Sequence, residues 1–313
     1  MRWWFFRRKP AAAPAASPLT ESSPQSVRPR TWAGEVTLPH LGDSDGRRYL
    51  DEQPYVLPKD LQEINRLDFQ HYVLRAILKR NYLAPLRQPR QILDVGCGTG
   101  QWAYELAREY PQATVVGLDV EAAKNSTAPP PNYRFVSGDI LKGLPFADHS
   151  FDFVHQRLLH SALPLTAWPG AVKELARVTA PGGWVELLEL NPEVIPSGPA
   201  GQQLRQIILQ LVALRGLDAE GVVARSLDLY LAEAGLVEVE RHVVEVPLGD
   251  WGGRLGSLLA LDFREVALAM CGPVTARFGL SREDYLALLE TTMKEWNELK
   301  SCHHFIVAYG RKP

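Results

Sequence analysis

Ile92-Leu93-Asp94-Val95-Gly96-Cys97-Gly98-Thr99-Gly100 is the stretch that decides the fold. Its first four residues form a short run that is apolar except for Asp94, the next five are glycine-rich, and Gln101 opens a helical pattern. A buried strand that runs into a tight turn and then a helix is the opening unit of an open α/β sheet, whose ligand crevice lies outside the carboxyl ends of the strands. Glycines at 96, 98 and 100 let the backbone turn sharply and approach a ligand closely, and the helix beyond presents N–H groups without intrahelical partners. A dinucleotide fingerprint of the form G-x-G-x-x-G needs glycine at position 101. Gln101 stands there instead, so the spacing disfavours a nicotinamide enzyme.

Working outward, short β-branched or apolar runs at 91–95, 113–118, 133–136, 151–155 and 184–190 alternate with helical patterns at 101–108 and 167–178. That alternation predicts a parallel sheet with crossover helices. Upstream, Leu61, Ile64, Leu67, Leu74 and Leu78 fall at helical spacing ahead of Pro85 and Pro89, which predicts an amphipathic helix before the core. Downstream, 191–200 reads as a Pro-rich loop, Leu204, Ile207, Ile208 and Leu211 mark a long helix, and another runs over 227–234. Residues 236–246 alternate as a half-buried strand does, 251–298 reads as helices, and 304–309 closes the chain as a strand. The expected fold is α/β: a Rossmann-like, mostly parallel seven-stranded sheet with helices on both faces, an N-terminal helix and a helical insertion before the last strand. The expected division is a disordered tail over 1–30, a helical cap over 31–90 and one domain over 91–313, with the insertion at about 251–298.

The chain has 313 residues, 46% hydrophobic and 22% charged, enough for one sizeable core. A net charge of −2 gives no global attraction to nucleic acid, so no nucleic-acid partner is expected. The three cysteines, Cys97, Cys271 and Cys302, form no C-x-x-C pair, which argues against a disulfide framework or a zinc knuckle and points to a reducing, cytoplasmic setting. No metal site is expected: His303 and His304 are adjacent and so face opposite sides of a strand. The opening MRWWFFRRKP is too short to span a bilayer, and the Ala/Pro/Ser-rich stretch behind it has no apolar periodicity. Peripheral membrane contact by residues 1–10, through Trp3, Trp4, Phe5 and Phe6 flanked by arginines, is the alternative to a free terminus.

Asp119 ends the second predicted strand, where a carboxylate can accept from neighbouring ribose hydroxyls, and Asp139 follows the third. With Asp94 they put an aspartate at the tips of three successive strands. This pattern, with the segment Asp94-Val95-Gly96-Cys97-Gly98-Thr99-Gly100, resembles the class I S-adenosylmethionine-dependent methyltransferases. Phe146–His155 is similar to that family's fourth strand, and Pro181-Gly182-Gly183-Trp184 to its fifth-strand turn. Tyr55-Val56-Leu57-Pro58, Arg66–His71, Val154–Arg157 and Gly182–Glu186 resemble a branch that includes fungal regulators of secondary metabolism and bacterial small-molecule methyltransferases. Val120-Glu121-Ala122 departs from the serine- or proline-rich continuation of the fungal members.

The resemblance implies S-adenosyl-L-methionine as cofactor, held by Asp94, Gly96, Cys97, Gly98, Gly100, Asp119, Val120, Asp139 and Ile140, with Asp94 toward the cofactor ammonium. Asp94 alternatively ties down the loop. Glu63, Arg66 and Gln70 share a helix face, so Arg66 either clamps the cofactor carboxylate with help from Gln70 or belongs to an exposed polar stripe. His155, at the carboxyl end of the fourth strand, is the candidate general base, or else a hydrogen-bonded structural residue. Gln156 and Arg157 are expected to orient the acceptor. Only one of Glu186 and Glu189 can face the cleft, and Glu189 is the expected pocket residue, joined by Trp251 from the insertion. The expected reaction is methyl transfer to an oxygen or nitrogen of a small or mid-sized, partly apolar acceptor. The alternative is a cofactor-binding regulatory protein that docks a partner without turnover; the oligomeric state stays open.

Overall fold

The computed structural model describes residues 46–49, 53–122 and 128–313. The expected tail, its membrane contact and part of the expected cap therefore lie outside the described residues. In chain order the elements are α1 (Leu61–Leu78), β1 (Gln91–Val95), α2 (Gln101–Glu109), β2 (Thr114–Asp119), β3 (Tyr133–Ser137), β4 (Phe151–Arg157), α3 (Trp168–Val178), β5 (Thr179–Ile195), α4 (Pro199–Leu214), α5 (Val222–Glu233), β6 (Val237–Pro247), α6 (Gly253–Phe278), α7 (Arg282–Glu298) and β7 (Cys302–Arg311). The seven strands form one sheet in the order β3-β2-β1-β4-β5-β7-β6. β1 to β5 are parallel, and β7 runs antiparallel between β5 and β6. The expected fold is the observed one.

The central strands read as continuous apolar runs because both of their faces are covered. On one face, Ile92, Val115 and Phe153 pack with Trp102, Ala103 and Leu106 of α2. On the other, Leu93, Val116, Val154 and Val185 meet Trp168, Val172 and Leu175 of α3 and Leu227 and Leu231 of α5. Helices α4, α6 and α7 build a separate apolar cluster from Leu204, Leu211, Met270, Tyr285 and Leu289. A further cluster joins this lobe to the sheet through Val73 and Leu74 of α1, Leu188, Leu259, Trp296 and Phe305.

Two expectations need correction. Residues 191–195 are not loop: β5 continues to Ile195, its pairing with β7 irregular between Leu190 and Val194, because β7 still offers His303 and Cys302 as partners. Pro192 is accommodated at that irregularity. The buried face of α1 is also not the predicted leucine stripe. Leu61 is exposed, while Glu63, Arg66 and His71 are buried beside Val73, Leu74 and Ile77. Arg66 faces inward between Glu63 of its own helix and Asp262 of α6, and His71 lies 3.4 Å from Glu105 of α2, which excludes the exposed-stripe alternative.

Candidate functional site

The glycine loop is locked onto the tip of β2. Gly96 and Cys97 N–H donate to the Leu118 carbonyl at 2.8 and 3.0 Å, and Gly98 N–H donates to Asp119 Oδ2 at 2.9 Å. Gly96 has φ +69°, and a Cβ there would lie 2.6 Å from the Leu159 side chain, so both the turn and the packing require glycine. Outside this loop lies a cavity of about 350 Å³, a size typical of small-molecule sites.

One half of the cavity is polar and sits over the strand tips. Gly96, Cys97, Gly98, Asp119, Val120, Asp139 and Ile140 line it, together with Lys59. Among the described residues Asp119 Oδ1 has only long contacts, 3.4 Å to Lys59 Nζ and 3.5 Å to Glu121 N, which leaves its lone pairs open to a ligand. Asp139 accepts from Leu141 N at 3.0 Å and pairs loosely with Lys142. The other half is apolar. Leu204, Ile208 and Val212 of α4, Phe263 and Met270 of α6, and Leu289 and Trp296 of α7 roof it.

Several expected site residues stand elsewhere. Asp94 and Gly100 do not line the cavity; Gly100 caps the N-terminus of α2. The Asp94 carboxylate turns to its cross-strand neighbour His155, Nδ1 lying 3.1 Å from Oδ1. His155 is 1% exposed and stacks on Trp102, ring centroids 3.8 Å apart and planes within 6°. Burial pushes its pKa down, against the opposing pull of Asp94. A ring sealed between strand and helix cannot reach an acceptor, so His155 is a structural residue and not the base. Among the described residues Asp94, turned to that ring, is bonded neither to a cavity group nor to the glycine loop, whose Gly96, Cys97 and Gly98 N–H groups go to Leu118 and Asp119.

Gln156 points to the opposite face of β4, fully buried with no hydrogen-bond partner for its amide. Trp251 is half-exposed and donates its indole N–H to the Leu248 and Ser301 carbonyls, away from the cavity wall. Glu186 and Glu189 do face opposite ways, but Glu189 lies behind the wall and not on it.

Arg66 and Gln70 do line the cavity, yet their donors are engaged. Arg66 gives Nε and Nη2 to Glu63 at 2.9 and 2.7 Å and Nη1 to Asp262 at 3.0 Å, while Gln70 Nε2 donates to Asp262 Oδ2 at 3.1 Å. Arg157, by contrast, lines the cavity with no hydrogen-bond or ion-pair partner among the described residues.

Three features of the site were not read from the sequence. Asp262 is the first, the partner that draws Arg66 inward. His160 is the second: it lines the cavity with Nδ1 2.7 Å from Glu189 Oε2. His303 is the third, also in the wall, buried, with neither ring nitrogen in hydrogen-bond geometry; burial pushes its pKa down to about 3. Among the described residues no three His, Cys, Asp or Glu side chains are grouped to hold a metal, and no helix is long and apolar enough to cross a membrane.

The family model for a methyltransferase domain matches residues 92–183, which spans the loop, both strand-tip carboxylates and β4. The methyltransferase pytC of Aspergillus terreus is 33% identical over 288 residues, covering 86% of this chain and 87% of that protein. The chain belongs to the class I S-adenosylmethionine-dependent methyltransferases. The N-methyltransferase sirN of Leptosphaeria maculans is 30% identical, over 84% of this methyltransferase and 96% of that one. The secondary metabolism regulator laeA of Monascus pilosus is 29% identical, over 78% and 67% of the two chains. The cofactor is accordingly S-adenosyl-L-methionine. The donor set around the polar half of the cavity suits it: carboxylates that accept from hydroxyl and amine groups, beside a backbone that carries no Cβ.

Proposed function

We propose that this methyltransferase acts on an oxygen or nitrogen of a small or mid-sized, partly apolar acceptor. The supporting observation is the continuity of one cavity from the carboxylates at the tips of β2 and β3 to the apolar roof of α4, α6 and α7. S-adenosylmethionine, when bound, supplies an electrophilic methyl carbon on a sulfonium. In this reading Asp119 accepts from the ribose hydroxyls, Asp139 and the Ile140 N–H meet the adenine, and Gly96, Cys97, Gly98 and Val120 form the cradle. Arg157, without a hydrogen-bond or ion-pair partner among the described residues, is assigned to the cofactor carboxylate in preference to Arg66, which is shared between two carboxylates, and Gln70, which is held by one of them.

The apolar roof removes water from the acceptor and orients it, and positioning of this kind supplies much of the acceleration of a displacement at a reactive carbon. A roof of leucine, isoleucine and aromatic side chains suits a small molecule and not a polyanion. The name of the sirN relative makes nitrogen a natural acceptor atom to test beside oxygen.

The test is calorimetric. Asp119→Asn is expected to weaken S-adenosylmethionine binding by about 10- to 100-fold, the worth of a hydrogen bond to a charged group. Unchanged affinity would reject the assigned cofactor half. Production of S-adenosylhomocysteine from a metabolite extract, lost on protease-free boiling of the protein, then reports turnover.

A further inference from the structure

We propose that His160, oriented by Glu189, is the general base of this methyltransferase, and that its acceptor is protic: a hydroxyl or N–H group that loses its proton as it gains the methyl group. The proposal rests on the reading of the cavity given above and adds the chemistry of its acceptor half. Four histidines stand near the strand ends, and three are unsuited to the task. His155 is sealed under Trp102, His71 is buried outside the cavity wall, and His303 has no carboxylate to balance an acquired proton.

Glu189 is fully buried on β5, yet three donors satisfy it: Leu159 N at 2.8 Å, His160 N at 3.2 Å and His160 Nδ1 at 2.7 Å. The two backbone donors belong to the short turn that follows β4, so the carboxylate holds the turn and the ring together. An ionised carboxylate only accepts, hence Nδ1 carries the proton and Nε2 keeps a free lone pair. Nε2 has no partner among the described residues, the side chain is 21% exposed, and the residue lines the cavity. With its Nδ1 edge turned onto Glu189, the Nε2 edge is the one left to face the cavity, whose wall also includes Leu159, Leu163 and His303. A base that is itself oriented by a third group is the usual architecture for activating a nucleophile.

The step balances as follows. A lone pair of the acceptor forms the new bond to the methyl carbon, and that carbon's bond to sulfur breaks with the electron pair left on sulfur. The acceptor proton passes to His160 Nε2, the imidazolium is balanced by Glu189 across Nδ1, and the proton returns to solvent after product leaves. Acceptors with no proton to lose, such as tertiary amines and thioethers, have no use for this pair.

The experiment uses full-length protein, S-adenosylmethionine and a panel of phenols running from 7-hydroxycoumarin to 4-nitrophenol, with N,N-dimethylaniline and thioanisole as aprotic probes. S-adenosylhomocysteine is measured. Protic probes are expected to be methylated and aprotic ones not. His160→Gln is expected to lower kcat by about 100-fold or more, with S-adenosylmethionine affinity intact and the loss shrinking for 4-nitrophenol once it is ionised. Glu189→Gln is expected to lower kcat and displace the kcat–pH profile. The charged and titratable groups sharing the cavity with His160 are Glu189 behind it, His303 on β7, Arg157 on β4, Arg205 on α4 and Asp218 before α5, with Tyr55, Lys59, Arg66, Cys97, Asp119 and Asp139.

A readout independent of turnover is the long-range proton–nitrogen NMR spectrum of histidine-labelled protein with S-adenosylhomocysteine, in which His160 should show the Nδ1–H form with a bare Nε2. An Nε2–H ring, an undiminished kcat in His160→Gln and His160→Asn, or turnover of the aprotic probes alone or of no probe would each overturn the proposal. Loss of S-adenosylmethionine binding in the unaltered protein would instead sink the cavity reading beneath it.

Discussion

At Glu186 burial and hydrogen bonding pull in opposite directions. The side chain is fully buried and its Oε2 accepts from both Leu83 N and Ala84 N at 2.7 Å, pinning the segment between α1 and β1 to the sheet. Burial prevails over those two bonds and pushes the carboxyl pKa up to about 7, from an ordinary 4.5. Between those values the folded chain keeps a proton that the unfolded chain has lost. Its stability therefore falls as pH rises through that window, by up to about 1.4 kcal/mol per pH unit, and levels off above pH 7. Glu186→Gln keeps an oxygen that both amides can use, so urea denaturation should find it roughly 1–3 kcal/mol more stable than the unaltered protein at pH 8 and little changed at pH 4. Equal stability at pH 8 would contradict this account. Single residues were the least legible part of the sequence. Position along β4 pointed to His155 as the base, but whether a histidine at a strand end faces a helix or a cavity depends on packing from α2. The Glu189–His160 pair joins two strands through a turn whose geometry no periodicity announces.

Between elements, the contact that sets the site is the buried ion cluster of α1 and α6. Glu63 and Asp262 share the one guanidinium of Arg66, leaving the group one negative charge in excess, and burial pushes the Asp262 pKa up. Such a cluster is costly to break from its centre, because two desolvated carboxylates are left without a counter-charge. Arg66→Leu should therefore lose about 3–5 kcal/mol in urea denaturation, whereas Asp262→Asn keeps the i, i+3 pair and should lose much less. A small effect of Arg66→Leu would mean that the carboxylates simply protonate. Elements themselves were legible where burial imposes a period. The strands covered on both faces appear as apolar runs, and the insertion between β6 and β7 appears as helical spacing. Legibility failed at α1, where the buried Arg66 is paired by Glu63 on its own helix and by Asp262, nearly 200 positions away, and at 191–195, where the partner strand β7 extends β5 beyond what its prolines suggest.

For the whole molecule, the decisive property is that two structural layers meet at one cavity. The sheet supplies polar groups at its carboxyl edge, and the helical lobe, with an apolar cluster of its own, supplies the roof. The two halves are built by different parts of the chain, so they should fail separately. Ile208 on α4 is half-buried, at the edge of the lobe's apolar cluster, and lines the cavity, so a larger side chain there can extend into open space. Ile208→Trp is expected to raise the KM for 7-hydroxycoumarin about tenfold or more, a loss of about 1.4 kcal/mol of acceptor binding. S-adenosylmethionine affinity and the urea midpoint should stay as they were. Asp119→Asn should show the converse, impaired cofactor binding with the acceptor KM little altered once cofactor is saturating. If Ile208→Trp weakened cofactor and acceptor alike, the cavity would be one undivided pocket, and the assignment of its polar half to the cofactor and its roof to the acceptor would have to be abandoned.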